Sequence, residues 1–246
     1  MLMNAPSTSI IVPTYREVEA LPELIERVAR VRQAHPSLLE LLIVDDDSRD
    51  GTEALIAARP EPWLELIVRK EDRGLSQAVL AGLRAARGDL LVVMDADLSH
   101  PPETIVDMQK AIAAGADFVV GSRYVEGGTT ADDWGLLRFI NSRVATALAR
   151  PLTAISDPMS GFFALPRRVF EAARDPSPLG YKIGLELLVR CNCTNVKEVP
   201  IHFANRTRGE SKLTAKQQLL YVRHLMRLYR FKLGGMLFAG WAPDRG

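Results

Sequence analysis

The sequence predicts an α/β fold with a largely parallel central sheet and helices on both faces, and three observations carry that reading. Short apolar runs recur through the first half of the chain, stretches of helical period follow most of them, and the runs are apolar at nearly every position. Strands of that kind must be covered on both sides. In chain order, the run at 9–12 ends at Pro13 and the run at 39–44 ends at Asp45, each ahead of a helical pattern. The run at 64–68 precedes a helix expected over 75–86, and that at 90–94 one over 103–114. Residues 117–120 supply a fifth strand. This alternation describes a doubly wound sheet. Beyond Gly121 the rhythm loosens. A loop with Gly127 and Gly128 leads to a helix over 136–149, and strands over 162–165 and 196–203 flank a helix over 183–191.

Composition narrows the function. The chain has 246 residues, 47% hydrophobic and 25% charged, which suits an ordinary folded protein with a sizeable core. Cys191 and Cys193 are the only cysteines. They make neither a disulfide framework nor a zinc ribbon, and a reducing cytoplasm fits. Placed two apart on a helix, they would diverge and sit in the core. The histidines form no HExxH, so oxygen must hold any metal. GxGxxG and GxxxxGK[ST] are both missing from the first 120 residues, which removes the usual dinucleotide and P-loop signals. No nucleic-acid motif is present either. No apolar run is long enough to span a bilayer, and residues 1–9 do not resemble a secretory leader.

In an open α/β sheet, ligands lie beyond the carboxyl ends of the strands. The residues there are 13–17, 45–50, 69–73, 95–99 and 121–123, and four of these five sets carry carboxylates. Asp95 and Asp97 directly follow an apolar strand in MDADLSHPPE. Two such carboxylates repel unless a cation lies between them, and Mg2+ or Mn2+ would bind both them and a diphosphate. A turn ahead of Pro101 and Pro102, or a phosphatase nucleophile at Asp95, would use the same residues differently. DDDSRDGT, from Asp45, carries too much negative charge to face phosphate. Its carboxylates can accept hydrogen bonds from a base or a ribose, while Ser48 or Asp50 caps the next helix.

PTYRE from Pro13, DDDSRDGT, RGLSQAVLAGLRAARGD, DADLSHPPE, GSRY from Gly121, SDPMSGFFALPR from Ser156 and RTRGESKL from Arg206 occur in order along nearly the whole chain. Together they closely resemble the dolichyl-phosphate (polyprenyl-phosphate) mannose synthases of glycosyltransferase family 2. The resemblance implies a GT-A fold, GDP-mannose as donor, Mg2+ or Mn2+, and inverting transfer to a polyprenyl or dolichyl phosphate. Carried over by position, Pro13, Tyr15, Glu17, Asp45, Asp46, Arg73, Asp95 and Ala96 would bind the nucleotide. Asp95, Asp97 and Ser99 would bind the metal, although Ser99 stands where the family usually has Gln. Arg16 replaces the usual Asn of PTYNE and is expected to point to solvent. Arg123, Arg138, Ser142 and Arg206 would hold the acceptor phosphate, and Asp97, Arg123, Arg138 and Asp157 would carry the chemistry. Guanidinium forks suit a phosphomonoester whatever the family. Asp157 would orient a sugar hydroxyl, hold Arg123, or belong to a purely structural turn before Pro158.

From Arg206 onward the chain carries nine basic side chains against two acidic ones. Leu219, Val222, Leu225, Met226, Tyr229 and Leu233 recur at helical spacing between Arg223, Arg227 and Arg230. Such a stretch either lies on an anionic membrane or packs on the body with a basic outer face. The sequence thus divides into a catalytic domain over 1–212 and a basic amphipathic helical tail over 213–246. A peripheral place on the cytoplasmic membrane face is expected, with no nucleic-acid partner and with room for a membrane partner subunit.

Overall fold

A computed structural model describes residues 6–130, 136–173, 176, 180–204 and 215–239, with only the backbone of 136–142, 215–216 and 235–239. The chain runs β1 (Thr8–Thr14), α1 (Leu21–Ala34), β2 (Leu38–Asp45), α2 (Thr52–Ala57), β3 (Leu64–Val68), α3 (Leu75–Ala85), β4 (Leu90–Val93), a 3-10 turn (Pro102–Thr104) and α4 (Ile105–Ala113). It continues with β5 (Phe118–Ser122), β6 (Thr129–Thr130), α5 (Leu136–Ala149), β7 (Phe163–Pro166), α6 (Arg167–Glu171), α7 (Ile183–Arg190), β8 (Val196–Pro200), β9 (His202–Phe203) and α8 (Ala215–Ala239).

Seven strands form the main sheet in the order β3-β2-β1-β4-β7-β5-β8. All neighbours are parallel except where β7 runs antiparallel between β4 and β5. Side chains on a strand alternate between faces, and both faces are packed here. Ile11, Leu42, Val44, Leu91, Val93, Phe118 and Phe163 face the layer that includes α3, α7 and α8. Ile10, Val12, Leu41, Ile43, Leu90, Val92 and Val119 face the layer that includes α1 and α4. A Cβ on Gly82 would stand 2.4 Å from Ile11 and 2.9 Å from Val44, so glycine is what lets α3 lie so close on β1 and β2.

Three local details differ from the sequence expectation. The strand expected over 196–203 divides: β8 stays with β5 as far as the Ser122–Pro200 pair, then β9 joins β6 in a separate two-stranded ladder. The helix expected over 103–114 opens as the 3-10 turn before α4. The helix expected to reach residue 191 ends at Arg190. Asn192 takes a left-handed φ of 51°, and the amides of Asn192 and Cys193 donate to the carbonyls of Val189 and Leu188. This is a Schellman stop, for which asparagine is suited. Cys193 therefore lies outside the helix, and both free thiols are half-buried against the core edge instead of within it.

Helix α8 uses two faces. Tyr221, His224, Leu225 and Leu228 are buried. His224 Nε2 lies 2.6 Å from Glu186 Oε2 on α7, and Tyr221 Oη donates to the Ala145 carbonyl of α5 at 2.8 Å. Leu219, Val222, Met226 and Leu233 are exposed. One side of the helix thus packs on the body, and the exposed side carries both that apolar row and the basic Arg223 and Arg230. Among the described residues, no helix is long and apolar enough to cross a membrane.

Candidate active site

The carboxyl ends of β1 to β5 gather the residues singled out in the sequence. On the β1–β3 side, Pro13 is buried in β1 and Tyr15 is 38% exposed just past its end. The Arg16 guanidinium is exposed, as expected, and lies 5.2 Å from the Tyr15 ring centroid. Its backbone has a left-handed φ of 62° and its amide donates to Ser48 Oγ at 2.8 Å. The Glu17 carbonyl accepts the Ala20 amide at the start of α1.

The three neighbouring aspartates are engaged by the protein itself. Asp45 accepts from Thr14 Oγ1 at 3.1 Å, from the Ser48 amide at 2.8 Å and from Ser48 Oγ at 2.5 Å. Asp46 accepts from Arg69 Nη1 at 2.5 Å and from the Gly74 amide at 2.6 Å. Asp47 accepts from Arg49 and from Arg73 Nη2. The Arg49 hydrogen bond, with further help from Arg73, holds the Asp47 carboxyl below its ordinary range. Arg73, a predicted nucleotide contact, thus has its charge matched locally. Asp50 accepts from the amide and hydroxyl of Thr52 and from the Val18 amide, an Asx-type turn ahead of α2, whose N-cap is Gly51 with no side-chain cap bond, so the cap expected at Ser48 or Asp50 is not formed.

Past β4 the pattern changes. Asp97 is 4% exposed, and its Oδ1 accepts both the Ser99 amide at 3.1 Å and Ser99 Oγ at 2.5 Å. Ser99, expected as a third metal contact, is fully buried and braces Asp97. Ala96 is buried between the two aspartates. The Asp95 side chain is 31% exposed, and no described residue donates a hydrogen bond to its carboxylate. Its amide donates to Nδ1 of His100 at 3.0 Å. That bond leaves the His100 proton on Nε2, and burial pushes the imidazole pKa down against the pull of Asp95 and Asp97. His100 stacks on Phe162 at 5.1 Å and meets Phe203 edge-on at 5.5 Å. A Cβ on Gly161 would come within 3.3 Å of the Asp95 carboxylate, so glycine there leaves the acid room.

Arg123, one residue past β5, meets Asp157 in a fork. Its Nε and Nη2 each donate at 2.7 Å, and its amide adds a third bond at 3.1 Å. Of the sequence alternatives for Asp157, holding Arg123 is realised, and its carbonyl also closes a turn by accepting the Ser160 amide at 3.3 Å. Burial lowers the Arg123 pKa, but the bonds to Asp157 outweigh it and raise the net value. The guanidinium stacks on Tyr124 and Phe203, at 5.2 and 5.1 Å. Arg138 and Ser142 lie on α5 with side chains outside the described residues, as does all of Arg206. The guanidinium of Arg143, also on α5, lies 5.7 Å from the Tyr124 ring centroid.

Lys182 was not anticipated. It precedes α7 and donates from Nζ to the Met159 carbonyl at 2.7 Å. Burial and the Arg123 charge lower its pKa to about 8, against the opposing pull of Asp157 and Asp95. A single lysine before an apolar helix carries no pattern that could have revealed it. Among the described residues, no third His, Cys, Asp or Glu completes a metal cluster.

A sheet edge with this division of charge, on this topology, is that of a nucleotide-sugar transferase of GT-A fold. The sequence profile described as "Glycosyl transferase family 2" matches residues 9–173, and the chain belongs to that family. It is 43% identical over 240 residues to a dolichol-phosphate mannosyltransferase of Mycosarcoma maydis, covering 94% of this chain and 82% of that one. A Saccharomyces cerevisiae protein of the same name is 42% identical over 236 residues, covering 92% and 88%. Among solved structures, Mycobacterium tuberculosis glucosyl-3-phosphoglycerate synthase, in complex with Mn2+, UDP and glucosyl-3-phosphoglycerate, is similar in fold. Its TM-score is 0.67 at 18% identity, with 98% of this chain and 82% of that chain covered.

Proposed function

We propose that this chain transfers mannose, with inversion, from GDP-mannose to a polyprenyl or dolichyl monophosphate at a membrane surface. The observation that carries the reading is the uncommitted Asp95 carboxylate beside Asp97, on the same edge as the Arg123–Asp157 fork, in a chain more than 40% identical to dolichol-phosphate mannosyltransferases. The donor set suits a hard divalent ion: Asp95 keeps its lone pairs, and Asp97 is held in one orientation by Ser99. Asp95 and Asp97 would hold Mg2+ or Mn2+, which neutralises the diphosphate as it departs. Mn2+ in the glucosyl-3-phosphoglycerate synthase complex supports this assignment.

Pro13, Tyr15, Glu17, Asp45, Asp46 and Ala96 would form the nucleoside rim, with Arg73 fixing Asp47 beside it. Arg123, joined by Arg138, Ser142 and Arg206, would receive the acceptor phosphate. That phosphate is already anionic at neutral pH, so the chain need supply no general base. Its residues align the oxygen behind the anomeric carbon and balance charge. Lys182, when protonated, adds positive charge to the same edge. The membrane contact would be the exposed row Leu219, Val222, Met226 and Leu233 of α8, beside Arg223, Arg227 and Arg230.

Incubation with labelled GDP-mannose or UDP-glucose, each metal ion, and a short polyprenyl phosphate tests the reaction. Label should enter extracted lipid from GDP-mannose only when metal is present. Label entering solely from UDP-glucose overturns the donor assignment. Reversing Arg223, Arg227 and Arg230 to Glu should weaken sedimentation with anionic vesicles while GDP binding persists, and unchanged sedimentation overturns the membrane contact.

A further inference from the structure

We infer that Glu198 is a positioning residue that sets the direction of Arg123 through Asp157. β8 runs parallel to β5 with Glu198 opposite Val120, three residues before Arg123. From there the Glu198 carboxylate reaches the turn after α5. Oε2 accepts the Ser156 amide at 2.8 Å and Oε1 accepts the Asp157 amide at 3.1 Å. Asp157, fully buried, spends its own carboxylate on the amide, Nε and Nη2 of Arg123. The result is a closed ring: β5 carries Arg123, Arg123 grips Asp157, the Asp157 backbone hangs on Glu198, and Glu198 stands on β8, which pairs with β5.

Both oxygens of Glu198 are acceptors for amide protons. Glutamine offers one acceptor and turns an NH2 toward the other amide, setting donor against donor. One amide of the pair then loses its partner, and the turn that carries Asp157 shifts. The other side of Glu198 borders an open cavity of about 390 Å3, walled also by Arg150, Thr194 and Lys232. Water can enter there, so the lesion is local and not a collapse of the core. The inference rests on the proposed role of Arg123 as a ligand of the acceptor phosphate.

Glu198→Gln should lower kcat/KM for polyprenyl phosphate by ~10-fold, as expected when a charged contact is displaced by a fraction of an ångström. The KM for GDP-mannose and the melting temperature should stay near the parent values. With 15N-arginine labelling, the exchange-protected Nε–H resonance of Arg123, identified by its loss in Arg123→Lys, should broaden or move in Glu198→Gln. On an Asp157→Asn background, Glu198→Gln should add little, because the link is already broken. An unmoved Arg123 resonance overturns the inference. So does an equal loss in donor and acceptor parameters with a lowered melting temperature, which marks a general structural role. Full acceptor kinetics in Arg123→Lys overturns the acceptor reading instead, and the resonance then still decides for or against Glu198.

Discussion

The two halves of the sheet edge treat negative charge in opposite ways. Past β2, Asp45, Asp46 and Asp47 are each engaged by the protein's own amides, hydroxyls and guanidinium groups. Past β4, the Asp95 carboxylate accepts nothing from a described residue, and Lys182 sits nearby with a depressed pKa. A carboxylate whose lone pairs are filled from within is scaffold; one left open near the surface has bonding capacity for a ligand. The first half is therefore a finished rim against which a neutral base and ribose can lie. On the proposed function, phosphates and a cation would complete the charge of the second half.

The sharpest way to break that comparison is to neutralise one acid in each half. Asp95→Asn should reduce transfer by about 10³-fold, equivalent to about 4 kcal/mol of barrier, because the proposed metal clamp loses the open carboxylate's charge. Asp45→Asn should lower the melting temperature, since asparagine keeps one acceptor oxygen and sets its NH2 against either the Ser48 amide or the Ser48 and Thr14 hydroxyls, while kcat in the surviving folded enzyme changes far less. Steady-state transfer assays and thermal melts on both variants decide it. If the two substitutions depress kcat alike, the halves do not differ in kind.

Much of this arrangement was legible in the sequence, and what was hidden is of one sort. The runs at 9–12, 39–44 and 90–94 announced buried strands because nearly every position is apolar, Ser9 and Glu40 excepted, and the acids after them lie together at the carboxyl edge of the sheet. The antiparallel course of β7 could not be read, since four buried residues look the same in either direction. The split of 196–203 follows from Ile201 donating to the Ser122 carbonyl after β8 ends, a tertiary bond with no local signature. Asn192 did carry a usable signal as a left-handed helix stop. Lys182 meets the charges of Asp95, Arg123 and Asp157 only through folding. Ser99 was visible as a departure from the family pattern, but its bond to Asp97 appears only when the turn closes.

Lys182 provides a smaller and more specific test. With its pKa lowered to about 8, its positive charge is present at pH 7 and largely gone at pH 9. Transfer should fall as pH rises through that value, and Lys182→Met should remove this limb and lower the neutral-pH rate by ~10-fold. The stability sign is the reverse. The unfolded chain keeps the lysine proton up to its ordinary value near 10.5, so between about 8 and 10.5 it holds more protons than the folded chain. Raising pH through that window therefore favours the fold through this group, and Lys182→Met should abolish that contribution in denaturant titrations. A pH profile for Lys182→Met that keeps the descending limb assigns the titration to another group.

Arg73→Ala probes the finished half at a partly exposed charged pair. Arg73 is 44% exposed, and its partner Asp47 is also held by Arg49. Asp47 itself is only 8% exposed, but removing one of its two guanidinium partners disturbs little, because Arg49 still pairs with it and water can take the place of the half-exposed Arg73 side chain. The KM for GDP-mannose should rise by ~3-fold with kcat unchanged, the pattern of a lost ground-state contact. A fall in kcat as large as that of Lys182→Met would mean that charge on the β2 side acts on the reacting groups after all. The line between rim and reaction centre would then have to be moved to include Asp47.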